Sequence, residues 1–416
     1  MADLVIELYD TRIGTLTGTW QNFDFVADPA AVDKFGIDSA ILSVSIPLAA
    51  VATRSRKGRR QNFFRELLPE GRMLTRMAAD AGVSERDVIG LLRRYGRDIA
   101  GALQIWDPEA PGEPKEPALQ PLSDTEVANM LVNVADNPLG NKPFGGKTSL
   151  AGVQDKIVLA RTGGGWNRVI DGYPSTHILK PEARDHPTAI YDEEYGARFA
   201  RAVGLAEFGT AIREFDGTPA LVVERYDRSA QSPSGRIHQE DFSQVLGAGG
   251  DQKYQIFGGK VSTSRIAGVL SAVADQASME KLLRMTTLSV ALGNLDMHAK
   301  NVSLLHHLDG SITLAPAYDV VPQVHQPNDG EMALAVDREY RHRVITRAHL
   351  IAEGEAWGLS DADRIIDNTL AAVSDIVATE MPHPSAHPAL VADIARFTGN
   401  LIAGRAAGDP AETGGA

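Results

Sequence analysis

The sequence predicts an α+β chain built as more than one lobe: a small α+β amino-terminal unit, a strand-and-helix middle, and an all-α carboxy-terminal lobe. Three observations predict it. The chain has 416 residues, more than one hydrophobic core usually serves. Short β-branched runs alternate with segments of helical period, so neither all-α nor all-β fits. And Pro108, Pro111, Pro114, Pro117 and Pro121 fall among Glu, Gly and Ala, a stretch that favours extended polyproline backbone and marks a linker.

The residue totals narrow the class. The composition, 43% hydrophobic and 23% charged, is that of a globular domain. A net charge of -13 argues against a general polyanion-binding surface, though not against a local basic patch. With no cysteine, disulfides, thiolate nucleophiles and cysteine metal sites are excluded. The start, Met1 to Glu7, lacks the basic and apolar regions of a signal peptide. The longest uncharged stretch, Ser39 to Thr53, contains Pro47 and is too short and mixed for a membrane helix. A cytoplasmic protein with no membrane partner is expected.

Each element follows from local pattern. Leu4 to Leu8 and Thr15 to Trp20 flank a hairpin turn at Thr11–Gly14, and Ala40 to Ile46 is a third strand candidate closed by Pro47. The basic run Arg54 to Arg60 has no interleaved aromatics, so a solvated loop is preferred over a nucleic-acid contact. Phe63 to Ala79 is helical with a break at Pro69 and Gly71, and Ser84 caps a helix that runs to Tyr95. Ala102 to Trp106 is a strand. Ser123 and Glu126 have capping-box spacing. Lys156 to Arg161, Thr176 to Leu179 and Ala220 to Glu224 are strands, and Asp192 to Val203 is a helix. Helices are predicted over Ile266 to Val273, Met279 to Leu292, Asp361 to Ala378 and Pro388 to Arg405. A hairpin joins Val302–His306 to Ile312–Leu314 at Asp309-Gly310. The Gly- and Ala-rich end is expected to be disordered.

Four segments carry chemistry. Gly293-Asn-Leu-Asp-Met-His-Ala-Lys-Asn301 sets Asp, His, Lys and Asn within six residues between an apolar helix and a strand. Phosphoryl transfer uses that mixture: an Asp orients the attacking hydroxyl and accepts its proton, an Asn five residues on gives a neutral oxygen to Mg²⁺, and Lys or His faces phosphate oxygens. The plainer alternative is a polar turn capped by Asp. Asp319, in Thr313-Leu-Ala-Pro-Ala-Tyr-Asp319 after an apolar strand, offers a second hard oxygen ligand. Lys180 ends an apolar strand, where burial without an anion is costly; phosphate and a carboxylate from Asp192-Glu193-Glu194 are candidate partners. Thr148 to Lys156, after Pro143-Phe-Gly-Gly-Lys147, is a small-residue loop whose N–H groups can approach phosphate. It is neither a Walker A sequence nor G-x-G-x-x-G. The order of catalytic loop, hairpin and metal aspartate matches the protein-kinase pattern.

Together these stretches resemble the HipA family. The matches include Ser149-Leu-Ala-Gly-Val-Gln-Asp-Lys156, Thr176-His-Ile-Leu-Lys180-Pro, Val223-Glu-Arg-Tyr-Asp-Arg228 and Gly293 to Asn301. Phe64 to Gly71 and Tyr95 to Leu103 resemble the family's amino-terminal domain. The resemblance covers nearly the whole chain except the tail. It implies a protein-kinase-like two-lobed fold, with domains at 1–107, 123–228 (nucleotide-binding lobe) and 229–405 (catalytic lobe), a linker at 108–122 and a tail at 406–416. It implies a type II toxin: a serine/threonine kinase using ATP and Mg²⁺ on a protein target such as an aminoacyl-tRNA synthetase, linked to persistence. A helix-turn-helix, HipB-like antitoxin is the implied partner, with operator DNA reached mainly through it.

The resemblance also implies roles. Asp296 is the catalytic aspartate, and Asn301 and Asp319 hold Mg²⁺. Lys180 binds nucleotide phosphates with Glu194 as its ion-pair partner. Ala151, Gly152, Val153, Gln154, Asp155 and Lys156 form the phosphate loop. Glu224, Arg225 and Tyr226 form the hinge that meets adenine. His298, Ala299, Lys300 and Tyr318 complete the nucleotide site, and Ser149 is the autophosphorylated serine. Met297, where the family often has Gly, is expected to shape the acceptor site. Two alternatives stand beside this. An aminoglycoside-phosphotransferase type of kinase shares the Asp-to-Asn spacing, but Asn294 stands where it has His. A catalytically dead scaffold binding antitoxin and DNA conflicts with the intact Lys180, Asp296, Asn301 and Asp319.

Overall fold

Alternate residues Leu4, Ile6 and Leu8 are buried, and they set β1 (Leu4–Leu8), which pairs antiparallel with β2 (Thr11–Thr19). In this computed structural model, which describes residues 3–49, 51–142 and 145–410, the turn is the pair Tyr9-Asp10, with φ of 51° and 55°. Those angles suit a two-residue hairpin of the primed type, so the predicted turn at Thr11–Gly14 instead lies inside β2. β3 (Asn22–Ala27) follows, then α1 (Pro29–Phe35). The predicted strand Ala40–Ile46 is absent. Its backbone finds a carboxylate instead of a neighbouring strand: Glu240 accepts from Ser43 Oγ at 2.6 Å and from the Val44 N–H at 2.8 Å.

The basic run is helical rather than a loop, yet it is mostly solvated as predicted: Arg54, Arg56 and Arg59 are exposed and only Arg60 is buried. Lys57 to Arg60 open α2 (Lys57–Arg65), and buried Arg60 forks onto Asp24 at 2.6 and 3.0 Å. α3 (Gly71–Ala81) and α4 (Val88–Tyr95) follow. The cap of α4 is Asp87, which accepts from the Gly90 N–H at 2.8 Å, three residues later than the predicted Ser84. β4 (Leu103–Trp106) completes a sheet ordered β3-β2-β1-β4.

The proline-rich segment is not a free linker. Its end forms β5 (Ala118–Leu122), paired along its length with the strand Gly165–Ile170. α5 (Asp124–Val132) has the predicted Ser123–Glu126 capping box. β6 (Ile157–Thr162), β7 (Gly165–Ile170) and β8 (His177–Pro181) precede α6 (Ala189–Ala202), which belongs to the second unit; the chain returns for β9 (Thr210–Phe215) and β10 (Thr218–Glu224). The six strands order as β5-β7-β6-β8-β10-β9. β11 (His238–Asp241) and α7 (Phe242–Leu246) end this stretch. One apolar core runs from Leu4 and Phe64 through Leu139, Leu150, Val158 and Val169, so the amino-terminal domain and the following sheet share an interior. They form the first unit: Met1–Ala183, Phe208–Gly249 and Leu305–Ser311.

The second unit holds Arg184–Glu207, Gly250–Leu304 and Ile312–Ala416. After α8 (Thr263–Val273), α9 (Gln276–Leu292) is buried on almost every side from Leu282 onward. β12 (Ser303–His306) and β13 (Ile312–Leu314) are the predicted hairpin strands. The lobe is mostly helical but not all-α, because β14 (Glu331–Val336) pairs with β15 (Glu339–Arg341). α10 (Arg347–Ala356), α11 (Ala362–Thr379) and α12 (Leu390–Ile402) close it, α11 and α12 packing on α9. Residues 406–410 of the predicted tail are anchored: Ala407 is buried and Asn400 Nδ2 donates to Ala407 O and Asp409 O. The remainder, 411–416, lies outside the described residues, as do Pro143 and Phe144. Among the described residues no helix is long and apolar enough to cross a membrane.

Candidate active site

The polar loop after α9 is held by backbone. Gly293 caps the helix at φ 66°, a conformation glycine reaches without strain. A Cβ there would also meet Val324 at 2.5 Å. Gln323 N–H donates to Gly293 O and Ala333 N–H to Leu295 O, at 2.9 and 2.8 Å, so both edges of the loop are pinned. Within it, Asp296 O accepts from His298 N–H at 2.8 Å and from Asn301 Nδ2 at 2.9 Å. The side chain of Asp296 is 37% exposed, and His298 Nε2 lies 3.8 Å from its Oδ2. Tyr254 packs edge-on to the His298 ring, centroids 5.2 Å apart.

This geometry assigns the two faces of Asn301. Its amide N–H closes the loop onto Asp296 O, while its Oδ1 accepts no hydrogen bond among the described residues. Asp319 sits at φ 57°, which costs a non-glycine residue of order 1–3 kcal/mol and is found where function constrains backbone. The strain is held from both sides. Tyr318 Oη donates to Lys300 O at 2.7 Å and lies 2.6 Å from Ser303 Oγ. Gly196 of α6 lies so close that a Cβ would stand 2.0 Å from Val320 O. An amide oxygen and a carboxylate are hard donors, the share of a Mg²⁺ shell a protein supplies when phosphate and water give the rest. Among the described residues no group of three or more His, Asp or Glu forms a self-sufficient metal cage.

The first unit holds the remaining predicted residues. Lys180, buried near the end of β8, stands opposite Leu221 of β10. Lys156 Nζ donates to Ala151 O at 2.9 Å, folding the small-residue loop over its own lysine. The loop is tied down further by the Glu70 N–H to Gly152 O, 3.1 Å, and by Arg72 to Asp155, 3.2 Å. Val153 is exposed. Ser149 has no exposed surface, and its Oγ donates to Leu67 O at 3.0 Å. Tyr226 bonds Gln239 and tilts against Phe208.

Three of the predicted residues have partners inside the fold. The Arg225 side chain is buried, and its guanidinium binds Ser175 Oγ, Ile99 O and both oxygens of Asp227. Its N–H is taken by Thr176 O and that of Glu224 by Gly209 O. Glu194 accepts from Arg198, one turn along the same helix, at 2.8–3.1 Å. Met297 does not shape an acceptor surface; it is buried and receives Ser289 Oγ at 3.3 Å from α9.

Comparison with known proteins then decides the family. The HipA-like C-terminal domain model matches residues 148–377, more than half the chain, and the HipA N-terminal domain model matches residues 4–106. The chain belongs to the HipA family. Relatives bear this out along the full length. Y4mE of Sinorhizobium fredii is 33% identical, with 88% of each chain covered. The serine/threonine-protein kinase toxin HipA of Shewanella oneidensis is 28% identical, covering 90% of this chain and 89% of that one. Among solved structures, the Shewanella oneidensis MR-1 complex of HipA, HipB and operator DNA superposes with a TM-score of 0.76 at 24% identity, over 96% of both chains. The fold is therefore that of HipA, end to end.

One group escaped the sequence reading: Asp98, Asp227, Arg225, Arg228 and Arg236, buried together in the first unit. Asp98 accepts from Arg228 at 2.9 Å, and Arg225 and Arg228 reach Asp227 at 2.8 and 3.1 Å. These partners hold the Asp227 carboxyl below the usual range against strong burial, and burial pushes Arg236 down to about 10. Arg-Tyr-Asp-Arg was visible as a motif; its partner 130 residues away was not.

Proposed function

We propose that this chain is a Mg-ATP-dependent serine/threonine protein kinase acting as the toxin of a type II toxin–antitoxin pair. The observation that carries this is the loop Asp296–Asn301 set beside the strained Asp319. Asn301 Oδ1 and the Asp319 carboxylate would hold Mg²⁺, whose charge offsets that of the phosphate oxygens. Asp296, with an exposed carboxylate on a pinned backbone, orients the acceptor hydroxyl and takes its proton. The serine oxygen bonds the γ-phosphorus as the bond to the β,γ-bridging oxygen breaks, releasing ADP. Lys180 and the loop Ala151–Lys156 hold the nucleotide phosphates, and Glu224 and Tyr226 flank adenine. A protein acceptor, with aminoacyl-tRNA synthetases as the implied class, rests on the family. So does a HipB-like antitoxin, a partner that the operator complex of the Shewanella relative supports.

Ser149 is the proposed off-switch. Its hydroxyl must leave Leu67 O before it can accept phosphate, and the nearly two negative charges then added cannot return to a buried seat. Expression in a bacterial host is expected to arrest growth, and Asp296→Asn to abolish the arrest. Arrest that persists in Asp296→Asn would refute phosphoryl transfer as its cause.

A further inference from the structure

The proposed off-switch leaves one question about the fold: what holds Ser149 down. Residues Lys147 to Ser149 are zipped onto the amino-terminal domain. Arg97 and Asp98 both donate their N–H to Lys147 O at 3.1 Å, and Ser149 N–H donates to Asp98 O at 3.0 Å. Thr148 Oγ1 donates to Asp98 Oδ2 at 3.2 Å, and Ser149 Oγ to Leu67 O. Asn141 bonds both backbone groups of Thr148, at 2.9 and 3.0 Å. Glu113, in the proline-rich segment, binds Lys147 and Arg97 together.

Asp98 is the node. Its backbone holds Lys147 and Ser149, one carboxylate oxygen holds Thr148, and the other accepts from Arg228, just past the hinge. Arg228 in turn donates to Ile99 O and Gly101 O, and the Gly101 N–H donates to Asp227. The hinge end and the Ser149 segment thus share one rigid anchor.

We infer that the amino-terminal domain is a clasp on the Ser149 segment, with Asp98 as its positioning residue, so that the rate of Ser149 phosphorylation is set by how often this clasp opens. The inference rests on the reading of Ser149 as the phosphorylated serine. It gives the amino-terminal domain a task in controlling the kinase, separate from catalysis.

The test uses the full-length chain and Thr148→Val, which keeps the shape and the buried ion cluster but deletes one bond of the clasp. Amide hydrogen exchange at Ser149 is expected to speed about tenfold or more, the effect of one buried hydrogen bond to a carboxylate. Phosphate incorporation at Ser149 from Mg-ATP should rise by a similar factor. Faster exchange without faster phosphorylation overturns the inference, as does unchanged exchange. If the wild type takes up no phosphate at all, the kinase reading has failed, and exchange alone then shows whether the clasp exists. Should Thr148→Val not fold, Glu113→Gln, which loosens Lys147 and Arg97, carries the same expectations.

Discussion

Two polar clusters of this molecule are held in place by opposite means. In the first unit, the side chains of Asp98, Arg225, Asp227 and Arg228 are buried and pair with one another at 2.8–3.1 Å, with Arg236 buried beside them on backbone carbonyls. In the second, the loop from Gly293 to Asn301 is fixed through its backbone, which leaves the Asp296 carboxylate exposed and Asn301 Oδ1 without a donor among the described residues. A side chain whose hydrogen-bonding capacity is spent on neighbours stiffens a fold. An amide oxygen left without a donor among the described residues, as at Asn301, is available to a ligand. The contrast separates structural from chemical charges more sharply than residue type does, and it puts the Arg225 side chain on the structural side.

The contrast is broken or sharpened by variants on each side. The largest effect is expected at Asp296: replacing it with Asn should lower phosphoryl transfer by about 10²–10⁴, the usual contribution of a general base, and leave the melting temperature unchanged. A matched loss of stability would mean Asp296 is structural after all. Next comes the buried cluster. Asp227→Ala strands two arginines without their acceptor and should cost about 3–5 kcal/mol in urea unfolding. A cost below about 1 kcal/mol would remove the cluster from the structural side. Gly196→Ala should cost about 1–3 kcal/mol by overpacking against Val320 O, and should lower transfer more than its stability loss explains, because the Asp319 turn must shift. Normal transfer in a destabilised Gly196→Ala protein would detach α6 from the metal site.

The most gradual effect is a pH slope in the first unit. Burial pushes the His238 pKa down to about 3. The folded state keeps this imidazole neutral, whereas the unfolded chain takes up a proton below about 6.5. Stability is therefore full above pH 6.5 and falls as pH drops toward 3, by at most about 1.4 kcal/mol per pH unit for one proton. The Glu113 carboxyl, desolvated but held down to about 2 by Lys147 and Arg97, acts in the same direction below its usual range. Its contribution is present above pH 4.5 and is lost as pH falls toward 2. Urea midpoints measured from pH 8 to pH 4 check the sign; a midpoint that rises on acidification would contradict it.

What was legible in the sequence was what lies contiguous in it. Asp296 to Asn301 form one turn, Asp319 follows the next hairpin, and the apolar periods of α9, α11 and β8 mark them as buried elements. What was not legible depends on distant partners. Ala40–Ile46 has the composition of a strand, yet Glu240, 196 residues away from Val44, takes up its backbone. The proline-rich segment reads as a linker because its strand partner, β7, is itself half polar and follows a run of glycines. Arg198, four residues from Glu194 on the same helix, is a partner the helical spacing offers and one that escaped the sequence reading.

The most direct test of phosphoryl transfer is the transfer of label from γ-labelled ATP in Mg²⁺ to the purified chain, followed by mapping of the labelled residue. Incorporation at Ser149 that disappears in both Asp296→Asn and Ser149→Ala is the predicted result. Equal labelling of the wild type and Asp296→Asn, or no labelling of a wild-type chain shown to bind ATP, would contradict it.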